Sequence, residues 1–252
     1  MLYDALFHFL DSIPTITFLV WFLVVYLLFH PVLYNILLRN PKYVSISYEK
    51  QSYILCNIME VLVLVIITYI AFVAMWRKDI SFLDTANHRQ NPQVMINIAT
   101  MYTMKDVVEM FVNKKIAKST IVHHICVIMA YFYVLRVLTT DYNVEGIFKC
   151  FIAYAAFTTL DFPYEIYLAL RFFIDKNGRF NNICKKYAFF HNFCCVLMNF
   201  SWQTFYFIKL IASFYQVGSS VLTLAVSSLV YLVLMAGWAQ EEYVVMDHLW
   251  KL

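Results

Sequence analysis

Long apolar stretches separated by short polar segments run along almost the whole chain. A bilayer core of about 30 Å requires roughly 20 consecutive apolar residues in a transmembrane helix. Seven stretches approach or exceed this length: Thr15–Leu38, Tyr53–Trp76, Gln93–Val112, Ser119–Leu138, Gly146–Leu170, Tyr187–Phe214 and Ser219–Ala239. The pattern therefore predicts an all-α fold, a polytopic membrane bundle of six to seven transmembrane helices, with six if the fifth stretch is re-entrant.

The charges outside these stretches predict the orientation of the bundle. Eleven Lys and Arg residues fall in the three loops on one side and four in the loops on the other, and cytosolic loops are the ones enriched in such residues. The segment before the first stretch contains Asp4 and Asp11 but no Lys or Arg, which argues against a cleaved signal peptide. We therefore expect a lumenal amino terminus with the first helix in residues 1–44, a main transmembrane domain in 45–240 and a short cytosolic tail in 241–252.

The composition narrows the class of protein further. Apolar residue types make up 62% of the 252 residues and charged types 14%, whereas about 25% of the residues in typical soluble domains are charged. So few charges could not cover the core of a soluble domain, which excludes soluble enzymes, nucleic-acid-binding modules and disordered adaptors. The six cysteines form no C-x-x-C pair, so we expect small buried side chains rather than disulfides or a zinc site.

Polar and ionisable residues recur inside four of the predicted helices. A charge at the bilayer centre costs about 2.5–3.5 kcal/mol, so each one needs a partner or a function. Spacings of three and four residues place each set on one helical face, which must turn toward other helices or a water-filled cavity. The sets are Tyr53, Asn57 and Glu60 in the second helix, Tyr102, Asp106, Glu109 and Asn113 in the third, Tyr154, Thr158, Asp161 and Glu165 in the fifth, and His191, Cys195 and Asn199 in the sixth.

These polar residues are predicted to lie at similar depths in the membrane. At a rise of 1.5 Å per residue, His124 lies about 9 Å beyond Lys118, and Glu109 lies about 8 Å before Lys114. Both lysines mark a cytosolic loop, so the depths predict a polar chamber in the cytosolic leaflet that opens toward the cytosol. The alternative is that these residues form contacts between helices, which contribute under about 1 kcal/mol each on average.

The pair His123–His124 is the most specific feature of the sequence. Neighbouring helical positions point about 100° apart, so the two imidazoles are not expected to chelate one ion, and no metal site is predicted. We expect one imidazole to face the chamber as a base or nucleophile and the other to hydrogen-bond an adjoining helix, with Asp161 or Asp106 fixing the tautomer. The alternative is two histidines at a polar helix interface. Lys105 is expected to neutralise a neighbouring carboxylate or to extend toward the membrane surface.

The stretch Met104–Tyr133, MKDVVEMFVNKKIAKSTIVHHICVIMAYFY, resembles the centre of a TLC domain, the TRAM and Lag1 homology family. Such domains have an Asp in one helix, then a short basic loop, then a His-His pair opening the next helix. Asp161–Phe162 followed by Glu165 resembles the acidic end of the Lag1 motif of ceramide synthases, but the synthases have a further Asp where this chain has Thr158. The chain is therefore more similar to the small TLC domain-containing membrane proteins.

The resemblance covers roughly residues 45–240 and implies a membrane protein of the endoplasmic reticulum with a role in lipid homeostasis, binding or remodelling acyl lipids. Enzyme status stays open. The alternatives are a His-dependent acyl-CoA acyltransferase of the ceramide-synthase type, a trafficking or chaperone protein of the endoplasmic reticulum, and a proton-coupled transporter. The expected partners are membrane lipids, with long-chain acyl-CoA as the co-substrate of an enzyme and a homodimer as a candidate assembly; neither a cofactor nor nucleic acid is expected.

Two sets of candidate site residues follow from these patterns and from the resemblance. The catalytic candidates are His123, His124, Asp161, Asp106 and Glu165. The candidates for binding the substrate or lipid are Glu109, Asn57, Glu60, His191, Asn199, Tyr154 and Thr158.

Overall fold

A computed structural model describes residues 2–76, 92–114, 116–140, 162–175, 178–217 and 221–251. Within these ranges the regular structure is entirely α-helical, which confirms the predicted all-α fold. The helices are α1 (Leu2–Ser12), α2 (Thr15–Leu37), α3 (Pro41–Val44), α4 (Tyr48–Trp76), α5 (Pro92–Val112), α6 (Lys118–Thr140), α7 (Phe162–Leu170), α8 (Arg179–Val217) and α9 (Val221–Lys251).

The helices follow the predicted apolar stretches, with differences at their ends. Helices α2, α4, α5 and α6 begin and end within five residues of the first four stretches, and α8 extends beyond the sixth at both ends. Of the fifth stretch, only the part that forms α7 lies within the described residues. By length and composition, two described helical segments could cross a membrane, Thr15–Leu37 and Tyr48–Ile70, each with a mean hydropathy of 2.3.

Helix α9 continues well beyond the predicted end of the seventh stretch at Ala239. Residues that were expected to form a short tail are helical as far as Lys251. Buried residues recur at helical spacing along the whole of α9, and Leu249 near its end is 1% exposed. The segment therefore packs as part of the helical bundle, because its apolar face continues past the last predicted membrane residue.

Six of the helices contact one another in a closed circuit. Helix α5 packs against both α4 and α6, α6 packs against α9, α9 against α8, α8 against α7, and α7 against α4. Helices α1 and α2 lie outside this circuit and pack against α4 and α5. On that outer side, Asn97 of α5 donates hydrogen bonds to the carbonyl oxygens of Leu10 and Ile13 at 2.7 and 2.9 Å. The circuit encloses the polar faces of α4, α5 and α6.

Hydrogen bonds between the short helix α3 and Gln51 of α4 connect the outer helices to α4. The Asn40 side chain caps α3 by accepting a hydrogen bond from the Lys42 backbone N–H at 2.9 Å, and Pro41 follows at the first helical position. The Tyr43 hydroxyl donates to the carbonyl oxygen of Gln51 at 3.0 Å, and the Gln51 amide donates back to the Tyr43 carbonyl oxygen at 3.0 Å. Burial raises the pKa of the Tyr43 hydroxyl, which therefore stays protonated and able to donate.

We predict that Tyr43→Phe destabilises the protein by about 0.5–1.5 kcal/mol, because it removes the buried hydrogen bond from the Tyr43 hydroxyl to the Gln51 carbonyl oxygen. For a chain of this size, each 1 kcal/mol lowers Tm by about 2–4 °C. Thermal unfolding of detergent-purified protein measures the change, with Tyr48→Phe, at an exposed tyrosine, as the matched control. Equal Tm values for the two variants would contradict a stabilising role for the hydrogen bond between Tyr43 and Gln51.

Candidate functional site

A buried lysine connects the polar faces of α4 and α5. Lys105 is 3% exposed and donates a hydrogen bond to the Glu60 carboxylate of α4. Its Nζ also lies 2.9 Å from Oδ1 of Asp106, the next residue along α5. The expectation that Lys105 neutralises a neighbouring carboxylate is confirmed, and the lysine in fact contacts two of them.

His124 lies between two carboxylates of α5. Its Nδ1 is 3.4 Å from Oδ2 of Asp106, and its Nε2 is 3.3 Å from Oε2 of Glu109. The second Glu109 oxygen accepts a hydrogen bond from the side-chain amide of Asn113 at 3.0 Å. Because Asp106, Glu109 and Asn113 are three and four residues apart, one face of α5 presents all three toward α6.

His123 faces a different partner, on α9. Its Nδ1 lies 3.5 Å from Oε2 of Glu241. The rings of His123 and His124 have centroids 5.8 Å apart and planes inclined by 59°. The two imidazoles therefore have different environments, as the sequence predicts for neighbouring helical positions.

A further hydrogen bond connects α4 to α7. The amide of Asn57 donates to Oε2 of Glu165 at 2.8 Å, and both side chains are buried. Asn57 and Glu60 occupy the same face of α4, so this helix contacts α7 through one residue and α5 through the other. Since both contacts use one helical face, that face of α4 is directed into the centre of the circuit.

These side chains surround a cavity of about 110 Å³ at the centre of the circuit. Among the residues that the structure describes, side chains from every helix of the circuit except α8 form its wall. Its polar lining combines carboxyl groups, a lysine, two histidines and hydroxyl groups, while Leu64, Leu168, Trp238 and Val245 contribute apolar surface. The polar lining residues are Tyr53, Asn57, Glu60, Tyr102, Lys105, Glu109, Thr120, His123, His124, Tyr164, Glu165, Glu241 and Glu242.

The structure brings together part of the predicted site. Six of the candidates, Asn57, Glu60, Glu109, His123, His124 and Glu165, line the cavity, and Asp106 lies directly behind His124. His191 and Asn199 are on α8 and do not line this cavity; His191 stacks on Tyr187, with ring centroids 6.0 Å apart. The candidates Tyr154, Thr158 and Asp161 lie outside the described residues.

Two acidic residues of the cavity, Glu241 and Glu242, are absent from the predicted site. The fall in apolar content after Ala239 predicts a cytosolic tail that includes both residues. The signal that identifies them is periodicity rather than hydropathy. Buried or half-buried positions continue along α9 at spacings of three and four: Ser227, Tyr231, Leu234, Trp238, Glu242, Val245 and Leu249.

Asp106, His123 and His124 lie close enough together to be considered as metal ligands. One ligand atom each from Asp106, His123 and His124 lies within 4.8 Å of the other two. An angle of about 100° between neighbouring helical positions argues against a shared ion. The angle describes where the side chains leave the helix, however, and rotation about the side-chain bonds allows nitrogens of the two rings to approach one another.

We predict that Lys105→Met destabilises the protein by about 3–5 kcal/mol, because it leaves the half-buried carboxylate of Glu60 and the buried carboxylate of Asp106 without the ammonium group that contacts both. Thermal unfolding and the yield of folded protein measure the effect, and Lys114→Met, at an exposed lysine one loop away, is the control. Adding Glu60→Gln to Lys105→Met should restore part of the loss, since it removes one of the two unpaired charges. A double variant no more stable than Lys105→Met would contradict this account.

Comparison of the chain with protein-family models, with curated proteins and with solved structures gives no significant match. Its function is therefore inferred from the residues of the cavity and from the sequence patterns.

Proposed function

We propose that this protein is a multi-pass membrane protein of lipid homeostasis, with six to seven transmembrane helices, which binds or remodels acyl lipids through the central cavity. The observation on which this depends is a polar, largely buried cavity inside helices whose outer surfaces are apolar. A lipid has the same division between a polar headgroup and apolar chains. Its headgroup would occupy the cavity while the acyl chains extend along the helices.

The exposed surface supports a membrane environment. In the most apolar window of α2 only 11% of the residues are buried within the chain, although a core helix of a soluble protein would be mostly buried. Large apolar side chains are also exposed on α6, α8 and α9, and exposed apolar surface of this extent is typical of contact with a membrane or another protein. Examples are Trp21, Leu28, Phe132, Phe200 and Leu229.

The size of the cavity limits what it could hold. Pockets that enclose a whole drug-sized ligand have volumes of about 300–1,000 Å³. A cavity of about 110 Å³ could admit a small headgroup, with the acyl chains outside it. The resemblance to TLC domains adds the endoplasmic reticulum as the proposed membrane, with a lumenal amino terminus and the end of α9 in the cytosol.

A matched pair of threonine variants tests lipid binding. Thr120 lines the cavity, whereas Thr204 is exposed on α8. We predict that Thr120→Phe fills the cavity and lowers the amount of co-purifying lipid at least about tenfold, as a loss of about 1.4 kcal/mol in binding would. Thr204→Phe should retain the lipids of the wild type, with mass spectrometry of lipids from purified protein as the measurement.

The same variants test the cellular role. Deletion of the protein should change the acyl profile of membrane lipids, and the wild type and Thr204→Phe should restore it while Thr120→Phe does not. Lipid content and acyl profile that are the same for both folded variants would contradict the proposal.

A second candidate function, acyl transfer from long-chain acyl-CoA, is favoured by the surroundings of His123. This imidazole lines the cavity and has a carboxylate 3.5 Å from Nδ1, an arrangement that orients the ring. His124 is less suited to act as the base because each of its nitrogens faces a carboxylate. In such a reaction His123 would take the proton of a lipid amine or hydroxyl as that group attacks the thioester carbonyl, and the thiolate of coenzyme A would leave.

If the protein is an acyltransferase, His123→Ala should lower the turnover of labelled acyl-CoA by about 10²–10⁴-fold, the contribution typical of a general base. His191→Ala, at a histidine that does not line the cavity, should leave the turnover unchanged. The assay uses detergent-purified protein with a mixed pool of lipid amines and hydroxyls. Turnover by the wild type that is no greater than by His123→Ala would reject this candidate and leave lipid binding as the function.

A further inference from the structure

The side chains of Asp106, His123 and His124 lie close together between α5 and α6. All three are buried, and one ligand atom from each lies within 4.8 Å of the others. Two imidazoles and one carboxylate are a ligand set typical of catalytic zinc sites, which retain a fourth position for water or substrate. We propose that these three residues bind a divalent zinc ion. This site does not depend on the lipid-binding proposal, and in it His123 would be a ligand rather than the base of an acyl transfer.

The separation of the ligand atoms suits such an ion. Zinc bonds to nitrogen and oxygen of about 2.0–2.1 Å, in tetrahedral geometry, place neighbouring ligand atoms about 3.3–3.4 Å apart. Oδ2 of Asp106 and Nδ1 of His124 are 3.4 Å apart. The pair is therefore spaced as two ligands of one tetrahedral ion would be.

Several of these buried atoms also lack a hydrogen-bond partner. Within the described part of the chain, the two nitrogens of His124, Oδ2 of Asp106 and Nδ1 of His123 have only ion-pair contacts of 3.3–3.5 Å, which are longer than well-formed hydrogen bonds. Buried polar atoms are normally satisfied, because an unsatisfied one costs about 1–3 kcal/mol. A bound cation would satisfy Oδ2 and Nδ1 at the point where Asp106 and His124 face each other.

Each histidine has a second carboxylate on its far side. Glu109 lies 3.3 Å from Nε2 of His124, and Glu241 lies 3.5 Å from Nδ1 of His123. Histidines that bind metals usually direct their other nitrogen to a carboxylate or carbonyl, which orients the ring and strengthens the ligand. This leaves Nδ1 of His124 and Nε2 of His123 as the nitrogens that would contact the ion.

Carboxyl groups also outnumber ammonium groups around the site. Six carboxyl groups lie around the cavity or directly behind it, against the single ammonium of Lys105 among the described residues there. Lys105 contacts Oδ1 of Asp106 and Glu60, which leaves Oδ2 of Asp106 directed at His124. The fourth position of the ion would face the cavity, where an oxygen of a lipid headgroup or water could bind. The carboxyl groups are Glu60, Asp106, Glu109, Glu165, Glu241 and Glu242.

Zinc binding is measured on the full chain, purified in detergent, stripped with a chelator and then supplied with Zn²⁺ alone. We expect one zinc per chain for the wild type, by elemental analysis and by competition with a chromophoric chelator. His123→Gln and His124→Gln should each lose stoichiometric zinc, and Glu109→Gln should bind it about 10–100-fold more weakly. Circular dichroism confirms that each variant is folded.

His191→Gln is the matched control, because His191 and Cys195 are 3.6 Å apart and could bind zinc on their own. This variant should bind zinc as the wild type does. X-ray absorption should show nitrogen and oxygen ligands at about 2.0–2.1 Å and no sulfur at about 2.3 Å.

Three results would overturn the proposal: a wild type that binds no zinc, a folded His123→Gln variant that binds it as tightly as the wild type, or a sulfur ligand. Any of these would leave the three residues as an ion-pair cluster. None would bear on lipid binding, which is measured with Thr120→Phe.

Discussion

The ammonium group of Lys105 compensates buried negative charge at the centre of an apolar bundle, and the arrangement of the surrounding helices depends on it. Removing a carboxylate from water costs several kcal/mol unless a cation and hydrogen bonds accompany it. Lys105 connects Glu60 of α4 to Asp106 of α5, and the contacts of Asp106 with His124 extend the network to α6. A shift of any of these helices by one residue would direct a charged group into apolar surroundings, so the network also determines their register.

The polar face of α5 could be predicted from the sequence because it depends on a property of a single helix. Spacings of three and four residues identify Asp106, Glu109 and Asn113 as neighbours, and the structure places them so. The packing of the helices determines which residues of other helices face them. The hydropathy pattern of the sequence does not predict that packing. Glu241 was assigned to a tail for that reason, since the loss of apolar content after Ala239 concealed a helical face that continues to Leu249.

The two histidines show the limit of an argument from backbone geometry. Adjacent positions diverge by about 100° around a helix, and this correctly separates the partner of His123 on α9 from the partners of His124 on α5. The same angle favours separate partners over one shared ion, but an imidazole extends far enough from the backbone that rotation about its side-chain bonds can bring two ring nitrogens together, and ligand atoms of the two rings lie within 4.8 Å of each other. Direction from the helix axis therefore predicts neighbouring helices better than it predicts the distances between terminal atoms.

The order in which the helices are synthesised determines when the charges around Lys105 can pair. Glu60, Lys105, Asp106 and His124 come from α4, α5 and α6, which are consecutive along the chain. Their charges can compensate one another as soon as α6 packs against α5, before α7 and α9 have been made. The acidic residues that are made later, Glu165 and Glu241, contact Asn57 and His123, which are not among these four residues. The most polar part of the protein can thus assemble during translation without waiting for the helices that close the cavity.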